Sequence, residues 1–385
     1  MRPVWSLRGE ADPEGRHLSP RDGGHPPPPR PALHCSREAA MTDEPRSPLL
    51  SRRQALRITA AAGITLALGG GLRELIRTGG LQRVRRTELR MGTPVTLTAV
   101  HPDGNEARRW ITSAFSEMER LESILSRHRE DTPVARLNRS GFLGEAPDEL
   151  LEVVRTGLEL SRRTGGAFDM TVAPLLALHR ARFTETGNPP GADEVSRALE
   201  RVGYGRLQVE GATLRFQRPG MALTLDGIAK GYVVDRTVAC LEGAGAEHVL
   251  VEAGGDLAAT GTSAPGAPWR VGIQDPERPG ESMGTLEVRR GGVATSGDYI
   301  HIFTPDRIHH HILDPRTGWS PQEARSVTVT TPTALEADAL STAAFVLGAE
   351  EGRALLESLE GVEGLIVTRD GREVRTRGFP RYVAG

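Results

Sequence analysis

The spacing of apolar residues along the chain predicts a mixture of helices and mostly antiparallel strands. Apolar positions at Ile111, Phe115 and Met118 recur at helical intervals, which predicts a helix over 105–127. The alternation in MGTPVTLTAV (91–100) predicts a strand. Further helices are predicted at about 148–163, 192–202, 228–241, 333–347 and 349–359. Further strands are predicted at 221–225 and 248–253, and a partner strand is predicted after the GGD turn at 254–256. Between 269 and 330, successive strands are predicted in WRVGI, GTLEV, GVATS, YIHIF, HHIL and SVTVT. A last strand is predicted in LIVT, before the turn RDG. Because the strands come in groups rather than in strict alternation with helices, the pattern indicates an α+β fold.

The helix predicted at 333–347 has a defined start. Thr333 and Glu336 have the T-x-x-E spacing of a capping box, in which each side chain satisfies a backbone amide of the other. Asp338, Ser341 and Thr342 then lie three and four positions apart and share one helix face. One carboxylate and two hydroxyls suit a hard cation such as Mg²⁺, although such a face is also typical of a solvated surface.

The first 85 residues lack the pattern of a folded domain. Residues 1–50 are rich in proline, arginine and glycine, which predicts a disordered or non-native leader. Within 51–85, Arg52 and Arg53 precede Leu56 and an apolar run over 58–68, which predicts a twin-arginine signal or anchor followed by a linker. The folded domain is therefore expected over 86–385. The protein is expected outside the cytoplasm, either free or held at the inner membrane.

Composition narrows the class of partner. The net charge is −2 and aromatic residues make up 4% of the chain, with no basic and aromatic interleaving, so no nucleic-acid partner is expected. Cys240 is the only cysteine in the predicted domain, which excludes an internal disulfide there, and no spacing indicates zinc.

Two further segments carry candidate chemistry. Lys230 is the only lysine among the chain's 48 basic residues, and it lies in the glycine-containing stretch LDGIAKG near a predicted helix start. An ammonium at a helix N-terminus suits a phosphate or pyrophosphate, and the Walker A pattern is absent. In His309–His311, alternation points His310 away from its neighbours. These histidines are either structural or, at His311 and the backbone near Ile312, in contact with a ligand.

The order of these motifs resembles the ApbE family of FAD:protein FMN transferases. The motifs that carry the resemblance, which runs from Met91 to about Gly348, are MGTPV, SRHREDTPVARLN, GGAFDMTVAPL, LDGIAKGYVVD, AGGDLAATG, VGIQDP, SGDY, HHILDPRTG and EADALSTAAFVLG. The resemblance implies a two-layer α+β fold of the T-fold type. It also implies Mg²⁺-dependent cleavage of FAD, in which FMN passes to a threonine of a target protein and AMP is released.

The resemblance also implies roles for individual residues. The implied flavin or FAD contacts are Met91, His128, Ala167, Phe168, Asp169, Thr224, Lys230 and Ile312. The implied metal site is formed by Gly227, Asp338, Ser341 and Thr342. His128 occupies the place of a tyrosine that is common in the family, and Thr224 the place of its usual acid, with Asp226 following two residues later.

In the implied mechanism, Lys230 and Mg²⁺ stabilise charge at phosphorus, and His311 or a nearby acid takes the proton of the threonine. The expected partners are FAD and an acceptor protein, which is expected to be an exported or membrane electron-transfer protein. Two alternatives are an FAD pyrophosphatase that yields FMN and AMP, and a flavin carrier without catalytic activity. Incubation with FAD, Mg²⁺ and an acceptor distinguishes all three.

Overall fold

The computed structural model of the chain describes residues 73–78, 80–278 and 280–380. The predicted leader over 1–50 and the predicted twin-arginine segment lie outside the described residues. The described part is α+β, as predicted, and its main sheet has nine strands in the order β1-β2-β3-β7-β8-β11-β12-β13-β14, all paired antiparallel. These strands are β1 (Arg73–Thr78), β2 (Leu81–Arg90), β3 (Thr93–His101), β7 (Val249–Ala253), β8 (Asp256–Thr260), β11 (Gly291–Gly297), β12 (Ala324–Thr331), β13 (Glu363–Thr368) and β14 (Glu373–Arg375).

Helices cover one face of this sheet. The described helices are α1 (Gly104–Leu125), α2 (Pro133–Ser140), α3 (Asp148–Arg163), α4 (Ala173–Thr186), α5 (Ala192–Leu199), α6 (Ala229–Gly243) and α7 (Ala334–Glu357). The predicted apolar stripe of α1 is buried, including Ile111, Phe115 and Met118, and it packs with β3 and α6 in the main core. Hydrophobic burial thus produces the helix-on-sheet arrangement that the pattern predicted.

The opposite face of the sheet carries a second, smaller core. The hairpin of β9 (Trp269–Gln274) and β10 (Ser282–Val288) covers this face. Trp269 and Leu286 of the hairpin pack with Leu257, Val293 and Leu365 of the main sheet. A separate three-stranded sheet has the order β4-β6-β5, with β4 (Phe142–Leu143), β5 (Leu207–Glu210) and β6 (Thr213–Phe216).

The predicted start of α7 at Thr333 is confirmed, but the capping box forms only in part, because the Glu336 carboxylate bonds to the Thr333 hydroxyl rather than to the Thr333 backbone amide. The Thr333 hydroxyl accepts a hydrogen bond from the Glu336 N–H at 3.3 Å, and it donates to the Glu336 carboxylate at 3.0 Å. Gly348 has φ 81° and ψ −169°, which breaks the helical path inside α7. The two helices predicted at 333–347 and 349–359 are therefore the two halves of one kinked element.

Four local expectations differ from the structure. The predicted strand at 221–225 is an extended segment outside any sheet, because its backbone bonds to the Asn138 side chain and to the Met170 carbonyl. YIHIF and HHIL are not strands either, since a single bridge, Ile302 to His310, joins them. After Asp169 the chain forms a 3-10 turn (Met170–Val172) that leads into α4.

The fourth difference concerns the start of the folded region. The strands β1 and β2 belong to the main sheet and lie mostly before residue 86, where the domain was expected to begin. Residues 73–78 and 81–85, which were predicted to belong to a linker, therefore contribute to strands β1 and β2. Within the described residues, no helix has the length and apolar character needed to cross a bilayer.

Candidate functional site

The site lies at one end of the main sheet, where Lys230 meets Asp256. Lys230 is the second residue of α6, and Asp256 begins β8 directly after a turn in which Gly254 and Gly255 have φ of 59° and 102°. The Lys230 ammonium donates a hydrogen bond to Asp256 Oδ2. The Asp256 side chain is 3% exposed and that of Lys230 is 30% exposed, so the buried carboxylate is paired while the lysine still reaches the surface.

Electrostatics keep this lysine charged. Burial alone lowers the pKa of Lys230, but the carboxylates of Asp256 and Asp338 outweigh burial and hold that pKa above its ordinary value. A charged ammonium beside the start of a helix can bind an anionic phosphate. The sequence pattern identified Asp256 only as part of the GGD turn, and it did not predict that Asp256 pairs with Lys230.

The four predicted metal ligands come together beside this pair. Ser296 Oγ on β11 is hydrogen-bonded to Ser341 Oγ at 2.9 Å and to Thr342 Oγ1 at 3.2 Å. A Cβ placed on Gly227 would lie 3.2 Å from Thr342 Oγ1, so the loop before α6 rests directly on α7. The glycine thus allows its own backbone to approach the hydroxyls closely.

Asp338 is the carboxylate of this group. It is 4% exposed, and the Gly231 N–H donates to its Oδ2 at 3.0 Å, which leaves Oδ1 for a further ligand. Burial, followed by the charge of Asp256, raises the pKa of Asp338 to about 8. A buried carboxyl that resists ionisation is stabilised as a carboxylate when a cation binds beside it.

The donor chemistry fits Mg²⁺. One carboxylate, two hydroxyls and the Gly227 carbonyl are oxygen donors, and the described residues contain no cluster of three histidine, cysteine, aspartate or glutamate side chains that could hold a metal. Mg²⁺ is commonly held by one or two carboxylates and completes its shell with water and substrate phosphate. A site of this kind leaves positions for water or for the phosphate of a neighbouring ligand, and Lys230 is placed beside it.

The close crossing of α6 and α7 holds the two halves of the site together. A Cβ on Gly231 would lie 2.6 Å from Ala334 C and 2.8 Å from Leu335 Cα, so only glycine fits. One turn later, the Asp235 carboxylate accepts hydrogen bonds from the N–H groups of Ala334 and Leu335 at 2.8 and 2.9 Å. Burial raises the pKa of Asp235 to about 6. The sequence reasoning did not predict that this aspartate caps the helix that carries the metal ligands.

Asp226, the acid that follows the position of the family's usual acid by two residues, is held by neighbouring basic side chains. Asp226 Oδ2 accepts from Arg127 Nε and Nη2 at 3.0 and 2.7 Å, and His128 Nε2 lies 3.7 Å from Oδ1. The Asp226 side chain is 48% exposed, and although its partial desolvation raises its pKa, hydrogen bonds and charge from His128 and Arg127 lower that pKa by more, to below its ordinary range. Thr224 is buried, and its hydroxyl accepts from the Asp226 N–H at 3.2 Å. His128 and Thr224, predicted flavin or FAD contacts, are thus both next to Asp226.

The three residues Ala167, Phe168 and Asp169 lie in two different environments. Ala167 and Phe168 are buried, and the Phe168 ring lies 3.6 Å from a Cβ placed on Gly227, so this ring borders the candidate metal site. Asp169 instead accepts hydrogen bonds from the Thr171 amide and hydroxyl and from the Tyr204 amide, each at 2.7 Å. Its carboxylate therefore shapes the local loop.

Met91 lies in the turn between β2 and β3. Its φ is 49° and that of Gly92 is 74°, and the Met91 N–H donates to Glu122 on α1 at 3.3 Å. This turn is at the same end of the sheet as Asp256, because Val95 pairs with Ala253. Met91, which the resemblance implies as a flavin contact, thus lies at the same end of the sheet as Lys230 and Asp256.

The three histidines occupy different environments. His310 is buried with its ring 5.5 Å from that of Phe345, whereas the half-buried His311 ring lies 5.2 Å from His301. Burial, followed by the neighbouring histidines, lowers the pKa of His311 to about 3. Its Nδ1 is buried without a hydrogen-bond partner in the described part of the chain. Ile312 is 7% exposed in the main core.

Fold and site together define an α+β protein in which a lysine at a helix start lies beside a set of oxygen donors, an arrangement suited to a phosphate-containing ligand and a divalent cation. The ApbE family model matches residues 91–366. The chain is 32% identical over 328 residues to the FAD:protein FMN transferase of Treponema pallidum, covering 78% of this chain and 90% of that protein. The chain belongs to the ApbE family, and the resemblance predicted from its motifs is confirmed.

Solved structures agree with this assignment. The apo form of the flavinyl transferase ApbE from Pseudomonas stutzeri matches with a TM-score of 0.68 and 32% identity, over 82% of this chain and 98% of that one. The ApbE protein of Thermotoga maritima matches with a TM-score of 0.70 and 30% identity, over 77% of this chain and 98% of that one. The predicted fold class is therefore confirmed.

Proposed function

We propose that this chain transfers FMN from FAD to a protein, and that the acceptor group is a threonine hydroxyl, with AMP as the second product. Relatives that cover most of the chain have this transferase activity in their names. The observation that carries the proposal is the meeting of Lys230 with the oxygen donors of Gly227, Asp338, Ser341 and Thr342.

The reaction exchanges one phosphorus–oxygen bond for another. The threonine oxygen forms a bond to the FMN phosphorus, the bond from that phosphorus to the bridging oxygen breaks, and AMP leaves with the bridging oxygen. Lys230 binds the phosphate oxygens, where its ammonium stabilises the negative charge of the transition state. Asp338, Ser341, Thr342 and Gly227 would hold Mg²⁺, which would supply positive charge to neutralise the same phosphates.

The threonine proton requires an acceptor, and His311 is our candidate. Its lowered pKa keeps the imidazole neutral at pH 7, and a neutral ring always has one nitrogen that can accept a hydrogen bond. A negatively charged phosphate nearby would raise this pKa and make the ring a stronger base.

The site of action follows from the N-terminal sequence. Arg52 and Arg53, ahead of Leu56 and the apolar run over 58–68, support export by the twin-arginine route. We therefore propose that the enzyme works outside the cytoplasm, either free or anchored at the inner membrane. Its acceptor would be an exported or membrane electron-transfer protein.

A single incubation tests the proposal. The protein is mixed with FAD, Mg²⁺ and candidate acceptor proteins, and the products are separated by denaturing gel electrophoresis and chromatography. Covalent flavin on a protein, with AMP in equal amount, is the expected result. Free FMN and AMP would instead indicate a pyrophosphatase, and unchanged FAD a flavin carrier. Omission of Mg²⁺ and an acceptor with its threonine replaced by valine are the controls.

A further inference from the structure

Three isoleucines form an exposed apolar surface on the loop that precedes His311. Ile300, Ile302 and Ile308 are 46%, 46% and 43% exposed. Only two other large hydrophobic residues in the described part of the chain, Leu89 and Phe142, are exposed to this degree. We propose that this isoleucine surface is where the acceptor protein docks, and that the acceptor presents an apolar segment next to the residue that receives FMN. The inference rests on the proposed function.

The loop is a defined hairpin whose other face is already used. The His311 N–H donates to the His301 carbonyl at 3.0 Å, and the Phe303 N–H donates to the His309 carbonyl at 2.8 Å. The rings of Phe303 and His309 lie 5.0 and 5.3 Å from Phe183 of α4. Packing of the hairpin therefore uses these rings and leaves the isoleucines in solvent.

Buried ion pairs fix the base of this hairpin. The Asp298 side chain is 0% exposed and lies 3.6, 3.2 and 3.5 Å from guanidinium nitrogens of Arg307, Arg325 and Arg369. Arg369 also donates to the Arg307 carbonyl at 3.0 Å. A surface held in this way loses little conformational entropy when a partner binds, which favours docking.

The surface is also next to the reacting groups. His301 lies between Ile300 and Ile302, close enough to Asp226 and Lys230 for both charges to act on its pKa. Because His301 of this hairpin lies near Lys230, an acceptor side chain that reaches phosphate there would place its flanking residues near the hairpin. Apolar flanking residues would then cover the isoleucines, as apolar groups do at the centre of protein interfaces.

The test compares Ile300→Ser, Ile302→Ser and Ile308→Ser with Phe142→Ser. Phe142 is a matched control because it is 45% exposed and packs against Arg215 on the separate small sheet. Extracts of a source strain that lacks this gene are incubated with wild-type protein, FAD and Mg²⁺, and the most strongly labelled protein in the gel is purified as the acceptor.

Acceptor KM and kcat, FAD affinity and Tm are then measured for each variant. We expect Ile302→Ser to raise the acceptor KM about tenfold, as loss of an interface anchor commonly does, with kcat, FAD affinity and Tm unchanged. Ile302→Val should keep the wild-type KM, and so should Phe142→Ser.

Three results would overturn the inference. One is a wild-type acceptor KM in all three serine variants, and another is an equal rise in Phe142→Ser. A third is an unchanged KM combined with weaker sedimentation on phosphatidylcholine vesicles, which would assign the isoleucines to a membrane surface. If wild-type protein labels no protein at all, the proposed function itself fails, and the two failures are thereby distinguished.

Discussion

Replacing Gly231 by alanine tests whether the crossing of α6 and α7 holds the site together. The added Cβ would lie 2.6 Å from Ala334 C and 2.8 Å from Leu335 Cα, and both are backbone atoms that cannot rotate away. Relief requires the helices to separate by roughly 1 Å, because packed interiors have no spare volume. The 3.0 Å hydrogen bond from Gly231 to Asp338 would then stretch beyond bonding distance.

The magnitude follows from three contributions. Overpacking costs about 1–3 kcal/mol and a lost hydrogen bond to a charged group about 1.5–3 kcal/mol, while alanine gains about 1 kcal/mol of helix propensity. We therefore expect the free energy of unfolding to fall by about 1.5–5 kcal/mol, which lowers Tm by several degrees. Covalent flavin transfer should fall more than tenfold, since displacement of Asp338 disrupts the candidate metal site.

Gly243→Ala is the control on the same helix. A Cβ there meets nothing within 4 Å, so this variant should be as stable as the wild type or slightly more stable. Urea unfolding gives the free energies, and in-gel flavin fluorescence gives the transfer rates. A Gly231→Ala protein with wild-type stability and wild-type transfer would refute the idea that this crossing positions the site.

Three further predictions concern the charged residues. The pKa of Asp338 is about 8 in the folded protein and 3.8 in an unfolded chain. Without Mg²⁺, the stability that the protonated Asp338 carboxyl contributes is therefore fully present below about pH 4 and is lost as the pH rises through 8. Mg²⁺ should therefore raise Tm more at pH 8 than at pH 6, and Asp338→Ala should stay folded but lose both this effect and the activity. Lys230→Met should abolish flavin transfer and destabilise the protein by about 3–5 kcal/mol, because Asp256 would be left buried and unpaired. Lys230→Arg should keep the stability of the wild type but lower kcat/KM about ten- to a hundredfold. Replacing Arg52 and Arg53 with a lysine pair should retain the protein in the cytoplasm on cell fractionation.

Each of these predictions has a contradicting outcome. A Tm response to Mg²⁺ that is equal at both pH values, or that persists in Asp338→Ala, argues against this carboxylate as a ligand. The double variant Lys230→Met with Asp256→Asn should recover stability without activity, and recovery of neither would contradict the pairing argument. Export that continues with the lysine pair would indicate another export route.

Local patterns predicted most of the helices because their signals lie within a few residues. The capping box of Thr333 and Glu336 and the apolar stripe around Ile111 both predicted elements that the structure contains. The alternation in YIHIF was misleading because Ile300 and Ile302 remain exposed, so burial does not stabilise a strand there. Alternation indicates two faces but not whether either face is covered.

The candidate site was predicted in its parts but not in its connections. Lys230 was recognised by its rarity and Asp338 by its helix face, yet the pairing of Lys230 with Asp256 joins residues 26 positions apart. The contact of Gly231 with Ala334 spans about a hundred positions and depends on how two helices cross. Such contacts arise from tertiary packing, which no local spacing encodes.

The cap that Asp235 places on α7 has a consequence for the protein's dynamics. The first amides of α7 are hydrogen-bonded by a side chain of α6, so they exchange with solvent only when the two helices part. Hydrogen exchange at Ala334 and Leu335 should therefore report on α6 as well as on α7. Because Lys230 and Asp338 lie on these two helices, phosphate binding and metal binding should be lost in the same opening event.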